Sequence, residues 1–373
     1  MKVLHLISGG DTGGAKTAVL SLCEELSKHI QCDLVCFIKD TFYEEGKQRK
    51  LNIHFIEQKK RTDLAVIRKI RELIIKEDYD LIHCHGARAN FIGMFLKKRV
   101  KKTFVTTIHS DYRLDFKDVW YKQLLYMPLN AISLRFMDRY IAVSNSFKDL
   151  MIERGFKKNR IFTVYNGIDT NNSVQVLKKD TFLKKFGIEN DNKVIVGMAA
   201  RLDAVKNPDM FINMAYLALQ KNDNIKFFIA GDGYEKQNLQ DRINLLRIGD
   251  NVKLLGFVED KYSFFNAIDI NILTSYSESF PYVIMEGAMM KKPVISTDVG
   301  GLKDLIRNGE TGYLVPVADE EKMSELVLKL VEDENLREQI GENLNRQVLE
   351  KYTIEKMCET HINIYNSIIK EEK

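Results

Sequence analysis

The sequence predicts an α/β protein built from two doubly wound, Rossmann-like domains, and three observations carry that expectation. Apolar runs of strand length alternate with helix-length amphipathic segments, the pattern of a parallel sheet covered on both faces. The alternation pauses in a polar stretch that reaches Asp191-Asn192 and then begins again. At 373 residues the chain is also too long for one ordinary core. The expected architecture is two such domains facing each other across a cleft.

In the first half the predicted strands are 3–7, 34–37, 53–56, 81–82, 104–108 and 140–143. Helical periodicity fills 15–28, 63–77 and 88–99 between them. Asn166-Gly167 carries turn chemistry, and the first domain is expected to span 1–168. Strands are predicted again at 194–198, 226–229, 252–254, 268–273, 293–296 and 312–315. Helices are predicted at 208–220, 237–246, 278–290, 320–331 and 336–349, giving a second domain over 169–351. The tail, 352–373, holds one more amphipathic segment with Met357, Ile362, Ile364, Tyr365 and Ile368 apolar and no strand after it.

Composition excludes several classes. A net charge of +4 is small for this length and does not describe a nucleic-acid binder. Five cysteines form an odd set with no Cys-x-x-Cys, against a disulfide framework or a zinc site and for a reducing cytosol. MKVLHLISGG is too short in its apolar run for a signal peptide. No stretch approaches the length of a membrane span. The expected location is the cytoplasm.

Ligands of open α/β sheets bind beyond the carboxyl ends of strands, and the chemistry-bearing residues of this chain fall there. Ser8-Gly-Gly-Asp-Thr-Gly-Gly-Ala15 joins the first strand to the first helix, where glycines let backbone N–H groups approach an anion. Its spacing is neither Gly-x-Gly-x-x-Gly nor a P-loop. Arg201 and Lys206 follow the first strand of the second half, two cations that could clamp a diphosphate. Glycine turns recur at Gly231-Asp-Gly233 and Gly300-Gly301. His109 ends the strand 104–108. His83 and His85 flank Cys84 but show no third ligand in the sequence around them, so zinc is not expected and a buried role is. The stretch from Glu278 to Met290 sets one carboxylate, Glu286, among apolar residues on every helical face. A buried carboxylate must be paired or bound, so Glu286 has a polar neighbour or awaits a ligand. Glu278 lies eight residues upstream in the preceding loop.

Taken together, these residues resemble the retaining glycosyltransferases of family 4, which have the GT-B architecture. The most specific parts are Glu278-x7-Glu286, the segment from Asp298 to Val315, and Arg201 with Lys206. Ala142-Val-Ser-Asn145, Tyr165-Asn-Gly-Ile-Asp169 and Ala230-Gly-Asp-Gly233 support it. The resemblance implies that the second domain holds a nucleoside-diphosphate sugar, a UDP-sugar in the first place. It implies that Glu286 binds the ribose hydroxyls and that Glu278 lies by the donor sugar with the amides of Ser279, Phe280 and Pro281. Arg201 and Lys206 are implied at the diphosphate, the Gly13-Gly14 turn closing on it, and His109 at the transferred sugar. Backbone groups of Gly256, Phe257 and Val258 are implied at the base, and the tail is implied to cross back to the first domain. No cofactor or metal is expected. Two departures are small: Asn207-Pro208 follows the lysine where a glycine is usual, and Gly287 follows the second glutamate where alanine is usual.

The first domain is expected to choose a glycan or lipid-linked acceptor. Lys97-Lys-Arg-Val-Lys-Lys102 and an insertion with Tyr112, Phe116, Trp120, Tyr121, Leu124, Leu125, Tyr126, Met127 and Phe136 suit a peripheral contact with an anionic inner leaflet. The competing readings are a non-catalytic partner subunit and a nucleotide-sugar epimerase of similar fold. The first is disfavoured because Glu278, Arg201 and Lys206 are all present, the second by the Glu278/Glu286 pair.

Overall fold

A computed structural model describes residues 1–10, 13–60, 63–111, 113, 120–170 and 175–371, the side chains of 120–126 excepted. The chain divides into two compact units, Met1–Asp169 with Thr353–Lys373, and Thr170–Tyr352.

The first unit opens with β1 (Lys2–Ile7), α1 (Gly14–Leu26), β2 (Gln31–Cys36), α2 (Thr41–Gln48) and β3 (Asn52–Phe55). It continues with α3 (Ala65–Glu77), β4 (Leu81–His85), α4 (Gly86–Lys97), β5 (Thr103–Ile108) and α5 (Trp120–Arg135). β6 (Arg139–Ala142), α6 (Asn145–Glu153) and β7 (Ile161–Thr163) complete its sheet. The seven strands are all parallel, in the order β3-β2-β1-β4-β5-β6-β7. Helices cover them, so strands such as Leu81–His85 are buried throughout. The switch of direction between β1 and β4 leaves a crevice beyond the strand ends.

The second unit starts with α7 (Lys179–Lys185), β8 (Val194–Ala199), α8 (Pro208–Leu219), β9 (Ile225–Ala230), α9 (Lys236–Leu246) and β10 (Val252–Gly256). Next come α10 (Lys261–Ala267), β11 (Ile270–Leu273), α11 (Tyr282–Met289), β12 (Val294–Thr297) and α12 (Leu302–Leu305). β13 (Tyr313–Val315), α13 (Glu320–Glu332) and α14 (Glu334–Lys351) close the unit. Its six strands are parallel in the order β10-β9-β8-β11-β12-β13, with the switch between β8 and β11. The core is aliphatic and aromatic, with Phe211, Phe227, Phe264 and Phe265 fully buried.

The last helix, α15 (Ile354–Glu371), belongs to the first unit. Tyr365 on it places its hydroxyl 2.6 Å from His83 Nδ1. Where the chain returns, Thr353 bridges Ile168. A Cβ on Gly167 would stand 2.4 Å from the Thr353 carbonyl oxygen, so only glycine allows that approach.

Two expectations need correction. The helix over 278–290 begins only at Tyr282, because Pro281 fixes its own φ and holds its predecessor extended. The hydrophobic periodicity does not predict the short helices α2, α6, α7, α10 and α12. Three of them start from side-chain caps that the sequence does carry: Asp40 accepts from Thr41 N, Ser144 from Phe147 N and Asp260 from Ser263 N. In the aromatic insertion, Tyr112 and Phe116 lie outside the described residues, as do the side chains of Trp120, Tyr121, Leu124, Leu125 and Tyr126.

Gly287 has a structural reason to replace alanine. A Cβ there would stand 2.7 Å from Asn271 Nδ2, which donates to the Val283 carbonyl at 3.1 Å. Gly287→Ala gains about 1 kcal/mol of helix propensity and loses about 1–3 kcal/mol to overpacking. Net destabilisation is therefore expected by denaturant unfolding, with the sign reversing in an Asn271→Ala background. Additive effects of the two substitutions would refute this account.

Candidate active site

At the switch between β8 and β11, two loops are tied together. The loop after β8 carries Arg201 and Lys206, and the loop after β11 carries Ser275 and Glu278. Tyr276 N donates to the Val205 carbonyl at 2.8 Å, and Thr274 Oγ1 donates to the Lys206 carbonyl at 2.8 Å. Thr297 Oγ1, from the end of β12, donates to the Ser275 carbonyl at 2.6 Å. Asn207 turns the chain into α8 with φ of 48°, a left-handed position that asparagine tolerates. It does the conformational work of the usual glycine.

These ties bring Lys206 and Glu278 into contact. Lys206 Nζ donates to Glu278 Oε1 at 2.6 Å, and Ser275 Oγ donates to the same oxygen at 2.6 Å. Glu278 is therefore a buried loop residue with charge-assisted partners. Arg201 is different. Its side chain is 70% exposed and pairs with Asp203 at 3.1 Å, so it stands in the same loop as Lys206 as a largely solvated cation.

Glu286 is buried on α11, and its partner is the Lys261 ammonium from α10. This answers the question of its charge with a residue that no motif in the sequence marks. Nothing in spacing links position 261 to 286; only the packing of α10 on α11 does. Ser279 is partly exposed, Phe280 is buried edge-on against Tyr352 with centroids 5.0 Å apart, and Pro281 stands at the cap of α11. The first amides of α11 lack intrahelical acceptors and suit an anion. Gly256 has φ of 74°, and its carbonyl accepts from Gly231 N at 2.7 Å. Beside it Phe257 is exposed, while Val258 packs toward Phe264 and Phe265.

In the first unit, Gly13 caps α1 with φ of 68° and Gly14 begins the helix. The close approach in this turn belongs to Gly9, whose Cβ would meet the Ile38 carbonyl oxygen at 2.4 Å. His109 follows β5. Its Nε2 lies 3.1 Å from His85 Nδ1, and His85 Nε2 lies 2.9 Å from His5 Nδ1. The reading that His83 and His85 lack a third neighbour is therefore corrected. β1 lies beside β4 and sets His5 opposite His83.

His83 bonds Tyr365 through Nδ1 and Thr107 Oγ1 through Nε2, at 2.6 and 2.8 Å. His361 completes the cluster, its Nδ1 2.8 Å from the Met357 carbonyl. Burial pushes His83 and His85 well below the ordinary imidazole range, His109 down to about 4 and His361 to about 3. All four are neutral at pH 7. Among the described residues, the groups with metal-donor geometry are His5 with His83 and His85, and His5 with Cys23 and Cys32. Each has three donors, and every ring nitrogen of the first except His5 Nε2 is taken up by the hydrogen bonds above.

The basic run is less free than it reads. Lys97 pairs with Asp138, Lys102 with Asp78 at 2.8 Å, and Arg99 donates to the Phe95 carbonyl at 2.9 Å. Lys98 lies over the Phe136 ring. Among the described residues, no helix is long and apolar enough to cross a membrane.

Two doubly wound parallel units, the second with charged loops at its switch point, are the GT-B class of fold, and sequence comparison identifies the family. The family described as Glycosyltransferase Family 4 matches residues 12–172, and that described as Glycosyl transferases group 1 matches 179–347. The chain belongs to the family-4 type of glycosyltransferase. It is 28% identical over 316 residues to N-acetyl-alpha-D-glucosaminyl L-malate synthase of Bacillus anthracis, covering 83% of this chain and 81% of the relative. It is 25% identical over 379 residues to the O-antigen biosynthesis glycosyltransferase WclY of Escherichia coli, covering 100% and 99%. The crystal structure of Anabaena HepE with UDP-glucose superposes with a TM-score of 0.84 at 22% identity, over 98% of this chain and 100% of that one.

Proposed function

We propose that this glycosyltransferase moves a hexose or N-acetylhexosamine from a nucleoside-diphosphate sugar, a UDP-sugar in the first place, to a glycan or lipid-linked acceptor. Retention of anomeric configuration and a place in bacterial cell-surface polysaccharide synthesis are part of this reading. The observation that carries it is the Lys206–Glu278 pair at the β8/β11 switch, with Arg201 in the same loop. The names of the relatives and of a neighbouring structure holding UDP-glucose agree with it.

The chemistry follows from charge. Cleaving the sugar–phosphate bond leaves a diphosphate whose negative charge grows in the transition state. Cations and N–H donors already in place stabilise that charge more than the ground state. Glu278 holds Lys206 and is itself held by Ser275, so part of the ordering entropy of a long side chain is met before the donor arrives. Arg201 and the first amides of α11 add donors. Ribose hydroxyls binding at Glu286 would meet a carboxylate already held by Lys261. With side-chain cations at the diphosphate position, the transfer is proposed to need no metal. His109 and the Gly13-Gly14 turn are assigned to the sugar and the diphosphate by the family resemblance.

The test is a thermal-shift panel of nucleotide sugars followed by a transfer assay with and without EDTA. A ligand at 100 times its Kd adds about 2.7 kcal/mol to stability, a shift easily read. UDP-sugars are expected to raise the melting temperature and transfer is expected to survive EDTA. Absence of any shift with every nucleotide sugar would refute the donor class, and loss of transfer in EDTA would refute metal independence.

A further inference from the structure

The first unit buries a line of side chains of which the proposed transfer uses only the last, His109. It runs from two thiols to His109 through His5 and His85. Cys23, Cys32, His5 and His85 are all buried, and His109 is its one partly exposed member. We propose that this line is a one-way hydrogen-bond relay that fixes His109 as a neutral imidazole with its proton on Nδ1. His85 and His5 are thus positioning residues for His109.

Proton counting gives the direction. A neutral imidazole has one N–H and one lone pair. In the links His5 Nδ1···His85 Nε2 and His85 Nδ1···His109 Nε2, at 2.9 and 3.1 Å, the donors must therefore all point the same way. The far end decides which way. His5 Nε2 is buried without a hydrogen-bond partner, and a ring nitrogen of His5 lies within 4.8 Å of the Cys23 and Cys32 sulfurs. An N–H there would face only sulfur, a weak acceptor, whereas a lone pair there can take the Cys32 S–H. His5 then keeps its proton on Nδ1 and donates to His85, His85 donates from Nδ1 to His109, and His109 keeps its own on Nδ1. Hydrogen bonding from Cys23 and the nearness of His5 lower the Cys32 thiol while burial raises that of Cys23, so Cys32 has the more acidic S–H and is the better donor to that lone pair.

The surroundings do not reverse this order. The His83 ring, 4.2 Å from that of His85, has both nitrogens engaged by Tyr365 and Thr107. His361 lies beyond it, 5.9 Å away. At the thiol end stand Cys358, kept protonated by burial up to about 12, and Asp33, which accepts from Tyr79. Glu25, near Cys358, pairs with Lys28 at 2.6 Å.

The consequence for transfer rests on the reading of His109 as a residue of the donor sugar: it would offer a hydrogen-bond donor at every pH where the line is intact. The test separates that reading from the relay. Long-range nitrogen-15 correlation spectra of the donor-free wild-type protein should show His109 protonated at Nδ1 and bare at Nε2 from pH 6 to 8. A proton on Nε2 overturns the proposal without reference to activity, and without any variant that must fold. His85→Phe should turn His109 into a tautomer mixture that titrates nearer the ordinary imidazole range. With it, kcat should fall at least about tenfold with little change in donor KM, and the rate profile should gain an acid limb. His85→Gln, whose amide can accept and donate in line, should restore most of both. An unchanged His109 tautomer and rate profile in His85→Phe would equally overturn the relay.

Discussion

Lys206→Ala is expected to lower turnover by about 10²–10³, the usual cost of removing one preorganised donor from a site of developing negative charge. It should also weaken the fold. Glu278 is buried and would keep only the Ser275 hydroxyl, and a buried polar group stripped of its partner costs about 1–3 kcal/mol. The double variant Lys206→Ala/Glu278→Gln should recover that stability and none of the activity. Arg201→Ala should lose turnover on the same scale while unfolding within about 0.5 kcal/mol of wild type, because its side chain is largely solvated. Steady-state kinetics and urea titrations of these variants read both quantities. Near-normal turnover in either single variant would end the assignment of the switch-point loops to the diphosphate.

Stability is expected to fall steeply as the pH drops below about 6.5, the ordinary imidazole value. The sign follows from proton uptake. His83, His85, His109 and His361 have folded-state values below the unfolded one, so the unfolded chain binds more protons in the window between them. The stability they contribute is whole above about 6.5 and is lost as pH falls toward about 4 for His109 and about 3 for His361. Each imidazole contributes at most about 1.4 kcal/mol per pH unit, so four acting together approach about 5 kcal/mol per unit, comparable to a domain's whole stability. The first unit should therefore melt well before carboxylates such as Glu45 and Asp111, themselves held low by their basic partners, begin to protonate. Thermal melts at pH 7.5, 6.0 and 5.0 would test this, and a flat melting temperature across that range would refute it.

The parallel sheets were legible in the sequence because doubly covered strands are mostly apolar along their length. Leu81–Ile82 already marks β4, yet the strand extends through His83 and His85, whose polarity hid them. Their neighbours are set by strand order, and the adjacency of β1, β4 and β5 joins residues 5, 85 and 109 that no local pattern connects. The same holds in the second unit. Glu286 among apolar residues announced a need for a partner, but Lys261 comes from a two-turn helix too short to show a period. Lys206 and Glu278 were visible as separate signals, and the hydrogen bonds of Thr274 and Tyr276 that join their loops were not. The three-residue β7 is below the length at which any run stands out.

The return of the chain at Thr353 makes the first unit discontinuous in sequence, and this bears on how the protein can be taken apart. A fragment cut at Asp169 would leave behind α15, and with it the Tyr365 hydroxyl that holds His83 and the Cys358 side chain buried near α1. The second unit, from Thr170 to Tyr352, is by contrast an uninterrupted insert. Exchange of second units between such enzymes is therefore best drawn as a cassette with two junctions, at 169/170 and 352/353. The tail then stays with the half it covers, and the tight fit of Gly167 on Thr353 is inherited intact.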